Sequence, residues 1–508
     1  MGDRQQLATA VEEFKELMKR IRQYEEAAGI LAWDLRTGAP RKGVAQRSEV
    51  VGMLSGQAFA LSVSDQMGRL LETLSAPEAE PQLDGLTQAA LRECRKQYER
   101  SRKIPPARYQ EFVTLCAYAE NLWPEAKARN DFAGFRPHLE RIVATLIDFA
   151  ELWGYTGHRY DALLDLYEPG LTVEKLDAIF SPLREGTVRL LQAIAGRPAP
   201  RRDFLRGSFA EAAQRRFSEF ILGQMGYDFE AGRLDTTAHP FTLGLSPGDV
   251  RVTTRFDPAE VAVGLFGTIH EGGHALYEQN LSPELVNTPL CTAASMGLHE
   301  SQSRFWENII GRSREFWARY FGDLAREFPG QFSGVTPEEF YRAVNLVEPS
   351  LIRTEADELT YNLHIIVRYE IEKDLIGGDI TVKDLPEVWE AKMVEYLGIK
   401  PTSQADGVLQ DIHWASGMFG YFPSYALGNV YAAQLAQAMR KQLPDYPDQV
   451  RRGNFTAIRA WLQENVWRHG KLLSPSELLR RATGKEADVS HLVAYLEGKL
   501  ADVYGLSV

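Results

Sequence analysis

The sequence has few cysteines, no excess of basic residues and no long apolar run. Its 508 residues include three widely spaced cysteines without a CxxC pair, so we expect no disulfide framework. The net charge of -12 argues against nucleic acid or an anionic membrane as the main partner. The opening MGDRQQLATAVEEF lacks a signal-peptide apolar stretch, and the apolar run at 261–269 is too short to span a bilayer. We therefore expect a cytoplasmic protein that binds neither nucleic acid nor membrane.

Helical periodicity covers most of the chain, because apolar residues recur at three- and four-residue spacing with charges between them. The predicted helices are 5–28, 48–74, 86–102, 106–129, 132–153, 173–195, 209–225, 297–328, 349–376, 382–396, 424–442, 455–466 and 489–503. Clusters of Gly, Pro and Asp separate them and are typical of interhelical loops. We predict a mainly α protein that forms one large helical unit over 1–508. It comprises a helical N-terminal half at 1–230 and a second half at 231–508 that contains the motifs below.

One stretch departs from this pattern. The sequence DVRVTTRF at 249–256 alternates apolar or β-branched residues with polar ones, which is typical of a strand. We therefore predict a small β-sheet immediately before the next helix.

That helix carries TIHEGGHALYEQ at 268–279. Asp257 is a candidate N-cap, with Pro258 as the first helical residue and Glu260 as the carboxylate of a capping box. His270 and His274 are four residues apart, so they share one helix face and can bind a single metal ion.

Glu271 then lies beside the metal, within reach of a bound water, as in the HExxH arrangement of zinc peptidases. Two glycines between the histidines each cost roughly 1 kcal/mol in a helix. We infer that they leave room for another backbone or a substrate. The alternative is a chance match, but composition alone predicts only about 0.03 such motifs in the chain.

A catalytic zinc needs a third protein ligand and an open position. The next helical segment, SMGLHESQSRFWENII, offers Glu300 and Glu307. Glu300 is favoured because polar residues that could orient it surround it in sequence, namely His299, Ser301, Gln302 and Ser303. In the alternative interpretation, Glu300 pairs with Arg304 on a solvated helix face.

The chain resembles the thermostable carboxypeptidase Taq family of zinc metallocarboxypeptidases. Six motifs carry the resemblance: HPF at 239–241, DVRVT at 249–253, HEGGH at 270–274, HESQS at 299–303, IRTEAD at 352–357 and GVLQDIHW at 407–414. The resemblance implies removal of single residues from free peptide C-termini with broad specificity. It also implies zinc replaceable by cobalt, Glu300 as third ligand, a homodimer, and a deep substrate groove between two helical halves.

Arginines in two motifs are candidates for binding the substrate carboxylate. An exopeptidase must position the last peptide bond over the metal, and Arg353 in IRTEAD could hold the terminal carboxylate. Alternatively, Arg353 pairs with Asp357 and only stabilises a helix. Arg251 or Arg255 could do the same if DVRVTTRF is an edge strand to which a peptide adds, although a solvated strand face is the alternative.

The segment GVLQDIHWASGMFGYFPSYALG offers oxyanion donors. His413, together with Tyr421 or Tyr425, could stabilise the charge that develops on the scissile carbonyl oxygen. We expect Gln410 and Asp411 to orient these groups or to contact the substrate. The alternative is aromatic packing beneath a loop.

His239 in HPF is expected either to line the groove or to hold the entry to the strand. The resulting hypothesis is hydrolysis in which Glu271 removes a proton from the metal-activated water and later protonates the leaving amine. The rival functions are an endo-oligopeptidase and a peptide-binding scaffold with a structural zinc.

Overall fold

The computed structural model describes residues 2–506. Its α-helices are α1 (Gly2–Thr37), α2 (Val44–Ser62), α3 (Asp65–Leu74), α4 (Gly85–Lys103), α5 (Pro106–Ala128), α6 (Phe132–Trp153), α7 (Asp161–Leu164), α8 (Val173–Ile194), α9 (Glu211–Met225), α10 (Val261–Gln279), α11 (Met296–Arg304), α12 (Arg314–Glu327), α13 (Pro337–Val344), α14 (Tyr361–Gly377), α15 (Leu385–Leu397), α16 (Pro423–Gln442), α17 (Tyr446–Arg451), α18 (Thr456–Asn465), α19 (Pro475–Thr483) and α20 (Ser490–Tyr504). A π-helical segment, Phe305–Ile310, follows α11 directly. The predicted mainly α fold is confirmed. None of the helices in this described range is long and apolar enough to cross a membrane.

Hydrogen bonds from side chains to backbone amides explain why the predicted bounds of two helices were wrong. The helix expected over 48–74 is two helices, because the Ser64 hydroxyl accepts a hydrogen bond from the amide of Met67 and begins α3. The helix expected over 349–376 begins only at Tyr361. Asp357 accepts hydrogen bonds from the amides of Leu359 and Thr360 just before it.

The small sheet has three strands: β1 (Gly232–Thr236), β2 (Thr242–Ser246) and β3 (Asp249–Thr254). Their order is β1-β3-β2, with β1 parallel and β2 antiparallel to β3. The predicted strand is confirmed, but its prediction as an edge strand was wrong. Because β1 and β2 occupy both sides of β3, its backbone is not free to bind a peptide by strand addition.

The predicted start of α10 was also wrong. The Asp257 carboxylate accepts a hydrogen bond from the amide of Ala259, which turns the chain but does not start a helix. The carbonyls of Pro258 and Ala259 accept hydrogen bonds from the amides of Phe209 and Gly207, and Arg206 forms an antiparallel bridge with Glu260. This long-range pairing holds 258–260 outside the helix, so α10 begins at Val261.

Glycines let three helices pack closely around the motif. A Cβ at Gly273 of α10 would lie 2.5 Å from the carbonyl oxygen of Gln302 in α11. A Cβ at Gly428 of α16 would lie 2.4 Å from Cγ of Glu300, also in α11. Gly272 faces side chains of α9, chiefly Leu222. Gly273 therefore makes room for another backbone, one of the two reasons inferred from the sequence.

Candidate metal centre

Two helices bring together the three predicted ligands. His270 and His274 of α10 and Glu300 of α11 offer ligand atoms that all lie within 4.8 Å of one another. The Nε2 atoms of the two histidines lie 3.5 and 3.3 Å from Oε2 of Glu300. Ligands about 2.0–2.1 Å from a tetrahedral zinc lie about 3.4 Å apart, so the two spacings fit. Two imidazoles and one carboxylate are also the donor set of many catalytic zinc sites, and the cluster could hold such an ion.

Glu307 orients His270. Its Oε2 lies 2.8 Å from Nδ1 of His270, which leaves Nε2 directed at the cluster. Glu307 lies in the π-helical segment and also receives hydrogen bonds from Arg304 and Arg312. The sequence offered Glu307 only as an alternative third ligand. Its seven-residue spacing from Glu300, which places both on one helix face, was the available signal for a supporting role.

The surroundings of Glu300 keep it ionised. Its side chain is buried, Arg304 Nε donates to Oε1 at 2.6 Å, and Ser303 Oγ lies 2.9 Å from Oε2. Burial alone raises a carboxyl pKa, but the Arg304 guanidinium and His270 hold the pKa of Glu300 well below its usual range. Glu300 therefore does pair with Arg304, as the alternative interpretation expected. The pair is buried, however, and does not lie on a solvated helix face.

His274 is held in its neutral form. Burial, together with the neighbouring His299, lowers the pKa of His274 to about 3. The His299 ring stacks on it with centroids 4.3 Å apart, and Nε2 of His299 lies 2.8 Å from a carboxylate oxygen of Glu278. A neutral imidazole is the form that binds a metal.

Glu271 lies on the same helix and is held by a residue of the sheet. The Thr242 hydroxyl, in β2, lies 2.8 Å from Oε2 of Glu271 and 2.9 Å from its carbonyl oxygen. Burial raises the pKa of Glu271, which brings its proton affinity closer to neutral pH. Sequence reasoning did not select Thr242, although it directly follows the HPF motif.

Arg353 is buried and held by Asp411. Its Nε and Nη2 donate to Oδ1 of Asp411 at 3.0 and 2.8 Å, and its Nη1 donates to the hydroxyl of Tyr361 at 3.1 Å. Gln410 Oε1 accepts the backbone amide of Arg353 at 3.0 Å. Asp357, the partner in the alternative interpretation, is engaged with backbone amides, so the alternative Arg353–Asp357 pair was wrong.

His413, Tyr421 and Tyr425 form one aromatic cluster. His413 Nε2 lies 3.2 Å from the Tyr425 hydroxyl, and the two tyrosine rings pack edge to face at 5.2 Å. Burial and the nearby Arg353 lower the pKa of His413 to about 4, so the imidazole is neutral at pH 7. Burial raises the pKa of Tyr421 to about 12, so its hydroxyl keeps its proton. The Arg353 guanidinium lies 5.0 Å from the Tyr425 ring centre, which joins this cluster to the arginine.

Two residues that were predicted to contact the substrate, Arg251 and His239, lie outside the clusters described above. Arg251 donates to both oxygens of Asp249 at 2.8 Å and lies over the ring of Trp33. His239 is exposed in the connection between β1 and β2. Their roles in substrate binding stay predictions.

Comparison with known proteins identifies the family. A sequence model described as carboxypeptidase Taq (M32) metallopeptidase matches residues 13–500. The chain is 47% identical over 500 residues to Carboxypeptidase 1 of Bacillus subtilis strain 168, which covers 98% of this chain and 99% of that protein. It is 44% identical over 489 residues to Thermostable carboxypeptidase 1 of Thermus thermophilus, covering 94% and 95%.

Solved structures agree with the sequence relatives. The crystal structure of the M32 carboxypeptidase from Deinococcus radiodurans R1 matches with a TM-score of 0.95 at 38% identity, covering 98% of this chain and 100% of that one. A Pyrococcus furiosus carboxypeptidase structure matches with a TM-score of 0.93 at 36% identity, covering 96% and 98%. The chain therefore belongs to the carboxypeptidase Taq (M32) family of metallopeptidases and is a carboxypeptidase.

Proposed function

We propose that this carboxypeptidase depends on zinc bound by His270, His274 and Glu300, with cobalt able to substitute. It removes single residues from free peptide C-termini with broad specificity. The observation that carries the proposal is the convergence of three ligand atoms within 4.8 Å of one another, next in sequence to Glu271. Both spacings to the Glu300 oxygen fit a tetrahedral ion. When bound, the zinc supplies a Lewis acid that polarises the scissile carbonyl and lowers the pKa of a water.

Glu271 moves the protons of the reaction. Its carboxylate takes the proton of the attacking water and then delivers it to the amine that leaves. The Thr242 hydroxyl restricts the carboxylate to one orientation, and burial raises the pKa of Glu271 above its usual value. No covalent bond forms between enzyme and substrate.

The aromatic cluster stabilises charge on the scissile carbonyl oxygen. Neutral His413 and a protonated tyrosine are hydrogen-bond donors in a buried site, where such bonds have most effect. The Tyr425 hydroxyl lies 3.2 Å from His413 Nε2, and we propose that it donates to that nitrogen. The single N–H of neutral His413 is then on Nδ1, which has no partner among the described residues, and Tyr421 is the tyrosine that reaches the substrate.

Arg353 binds the terminal carboxylate. A guanidinium has five N–H donors, and Asp411 and Tyr361 take three of the Arg353 donors. The remaining two can form a fork toward a carboxylate. Asp411 and Gln410 fix the side chain and the backbone of Arg353, so we propose that both act through it.

The rival functions have less support. Membership of a carboxypeptidase family argues against both an endo-oligopeptidase and a non-catalytic scaffold. Structural zinc sites usually use several cysteines, whereas the candidate cluster contains none.

We propose that the protein is a homodimer, as the resemblance implies, in which each 508-residue chain forms one catalytic unit with a groove between its halves. Cys94, Cys116 and Cys291 are free and buried, which supports a reducing compartment such as the cytoplasm. Sedimentation velocity of the metal-loaded protein tests the dimer, and a monomer at micromolar concentration would refute it.

One peptide pair tests the exopeptidase mechanism. The metal-loaded protein is incubated with an unblocked peptide and its C-terminally amidated twin, and products are followed by mass spectrometry. We expect a ladder of single-residue losses from the free peptide only. Internal cleavage of both peptides would show that the enzyme does not need the terminal carboxylate, which would contradict the exopeptidase mechanism.

Two matched variants decide which arginine binds the carboxylate. Arg353→Lys keeps the charge but loses the fork, so we expect kcat/KM for the free peptide to fall about 10- to 100-fold. Arg251→Lys should change it less than about twofold, because its observed partner is Asp249. The reverse pattern would transfer the role to Arg251.

A further inference from the structure

We propose that the buried carboxylate of Glu372 is a positioning residue that fixes the segment carrying His413 and Tyr421. The inference rests on the proposed function, since the oxyanion roles of His413 and Tyr421 are proposed there. It adds a residue outside the six sequence motifs, on a helix that contributes no metal ligand.

Glu372 holds both ends of the segment 414–420. It lies on α14 and is fully buried. Its Oε1 accepts a hydrogen bond from the indole Nε1 of Trp414 at 2.8 Å, and its Oε2 accepts one from the amide of Gly420 at 2.8 Å. Trp414 directly follows His413, and Gly420 directly precedes Tyr421. One carboxylate therefore fixes the neighbours of both proposed donors.

A third hydrogen bond links the Glu372 carboxylate to the segment between α6 and α8, which also contacts Tyr421. The Tyr160 hydroxyl donates to Oε2 of Glu372. Further along the same connection, the Tyr167 ring packs edge to face on Tyr421 with centroids 5.1 Å apart. A Cβ at Gly420 would lie 2.7 Å from the carbonyl oxygen of Leu163, so the two segments are in close contact.

The segment needs an external anchor. It consists of turns, not helix or strand, and Gly417 and Gly420 have φ of 70° and 92°, in the left-handed region. On its N-terminal side, Arg368 of the same helix α14 binds Asp411 at 2.6 Å. The helix thus holds the chain on both sides of His413.

The hydrogen-bond geometry favours a group with two accepting oxygens at position 372. Three donors converge on the two oxygens of Glu372. Burial raises the pKa of Glu372 to about 7, and the three hydrogen bonds act against that rise. A glutamine has one oxygen and one NH2 group, so at least one donor of the segment would face another donor. Glu372→Gln therefore changes the anchoring with almost no change in volume.

The first test is Glu372→Gln in the metal-loaded full-length enzyme. We expect kcat to fall about tenfold or more, with KM changed less than about twofold and the metal content unchanged, because Arg353 and the metal ligands stay in place. Glu370→Gln is the matched control. It lies on the same helix and pairs with Arg184 and Lys392, so its kcat should equal that of the wild type.

A double-mutant cycle separates positioning from simple stabilisation. In a background with His413→Phe and Tyr421→Phe, no donor is left to position, so Glu372→Gln should cost less than about twofold in kcat. An equal loss of kcat in both backgrounds would overturn the inference. Full activity of the His413→Phe, Tyr421→Phe background by itself would instead contradict the proposed function.

Two further variants keep the inference testable if Glu372→Gln fails to fold. Trp414→Phe and Tyr160→Phe each remove one donor and leave the carboxylate intact. We expect each to lower kcat several-fold at constant KM. Unchanged kcat in both variants would overturn the inference.

Discussion

At the scale of single residues, the hydrogen bond between Thr242 and Glu271 should control the proposed proton transfer. Burial raises the pKa of Glu271, while its hydrogen bond with the Thr242 hydroxyl lowers it. Thr242→Val keeps the shape and removes the hydroxyl, so the pKa of Glu271 should rise further. We expect the acid limb of the kcat–pH profile to move to higher pH, and kcat at neutral pH to fall about tenfold. An unshifted limb would contradict the contact's role.

Glu307 should control metal affinity through His270. Glu307→Gln removes the negative charge beside Nδ1, so the imidazole becomes a weaker ligand. We expect the zinc dissociation constant, measured by competition with a chelator, to rise about 10- to 100-fold. Glu370→Gln is the control, because the Glu370 carboxylate pairs with Arg184 and Lys392 and not with a residue of the metal centre. Equal affinities in both variants would refute the orienting role.

His364 should make stability depend on pH. It is fully buried, and burial beside Arg368 lowers its pKa to about 3. Unfolded His takes up a proton near pH 6.5 while the folded residue does not, so stability is lost as pH falls below about 6.5. Between pH 7 and 5 this amounts to about 2 kcal/mol. Denaturant unfolding should show that the free energy of unfolding of His364→Leu depends less on pH, by about this amount. The same pH dependence as in the wild type would contradict the role of His364.

The two histidines of the candidate metal centre could be predicted because their signal is local, whereas sequence spacing alone left both Glu300 and Glu307 as possible third ligands. The spacing of His270 and His274 on one helix face is a property of the sequence alone. Thr242 comes from a strand and acts on a helix, and the hydrogen bond of Glu307 depends on how α10 lies against the π-helical segment. Both contacts exist only after tertiary packing.

At the scale of elements, the contact between α10 and α11 sets the geometry of the centre. Gly273→Ala places a Cβ 2.5 Å from the Gln302 carbonyl and 2.7 Å from Cα of Ser303, both backbone atoms that cannot rotate away. We expect a loss of about 1–3 kcal/mol of stability, together with weaker zinc binding. The check is denaturant unfolding of the metal-free protein, followed by zinc titration.

Gly267→Ala in the same helix is the matched control. Its nearest neighbour would be the Thr254 hydroxyl at 3.6 Å, an ordinary contact. Because alanine favours helix, this variant should be as stable as the wild type or more stable by up to about 1 kcal/mol. Similar losses in both variants would show that helix packing at Gly273 is not the cause.

The bounds of a helix could be predicted where its cap is a neighbouring residue in the sequence. They could not be predicted where residues far apart in the sequence pair with each other. The helix predicted over 132–153 has those bounds in α6, which follows the cap Asp131. The start of α10 was missed because residues 258–260 pair with the distant 206–209. The central position of β3 was missed because β1 and β2 have only five residues each, too few for the sequence to predict them as strands.

At the scale of the whole molecule, metal binding should be linked to folding. The ligands come from two helices, α10 and α11, and converge only in the folded chain. Zinc at about 100 times its dissociation constant should add about 2.7 kcal/mol to the free energy of unfolding. Denaturant unfolding with zinc and with excess chelator measures the difference. Equal stability in both would contradict a preformed site.

The most direct measurement is made on Glu271→Gln. Its zinc content is determined by elemental analysis, and its turnover is measured on a peptide with a free C-terminus. We predict wild-type zinc stoichiometry and a loss of kcat of at least about 100-fold, because the ligands remain while the proton-transfer group is gone. Turnover within a fewfold of the wild type would contradict the account, because another group would then have to move the proton.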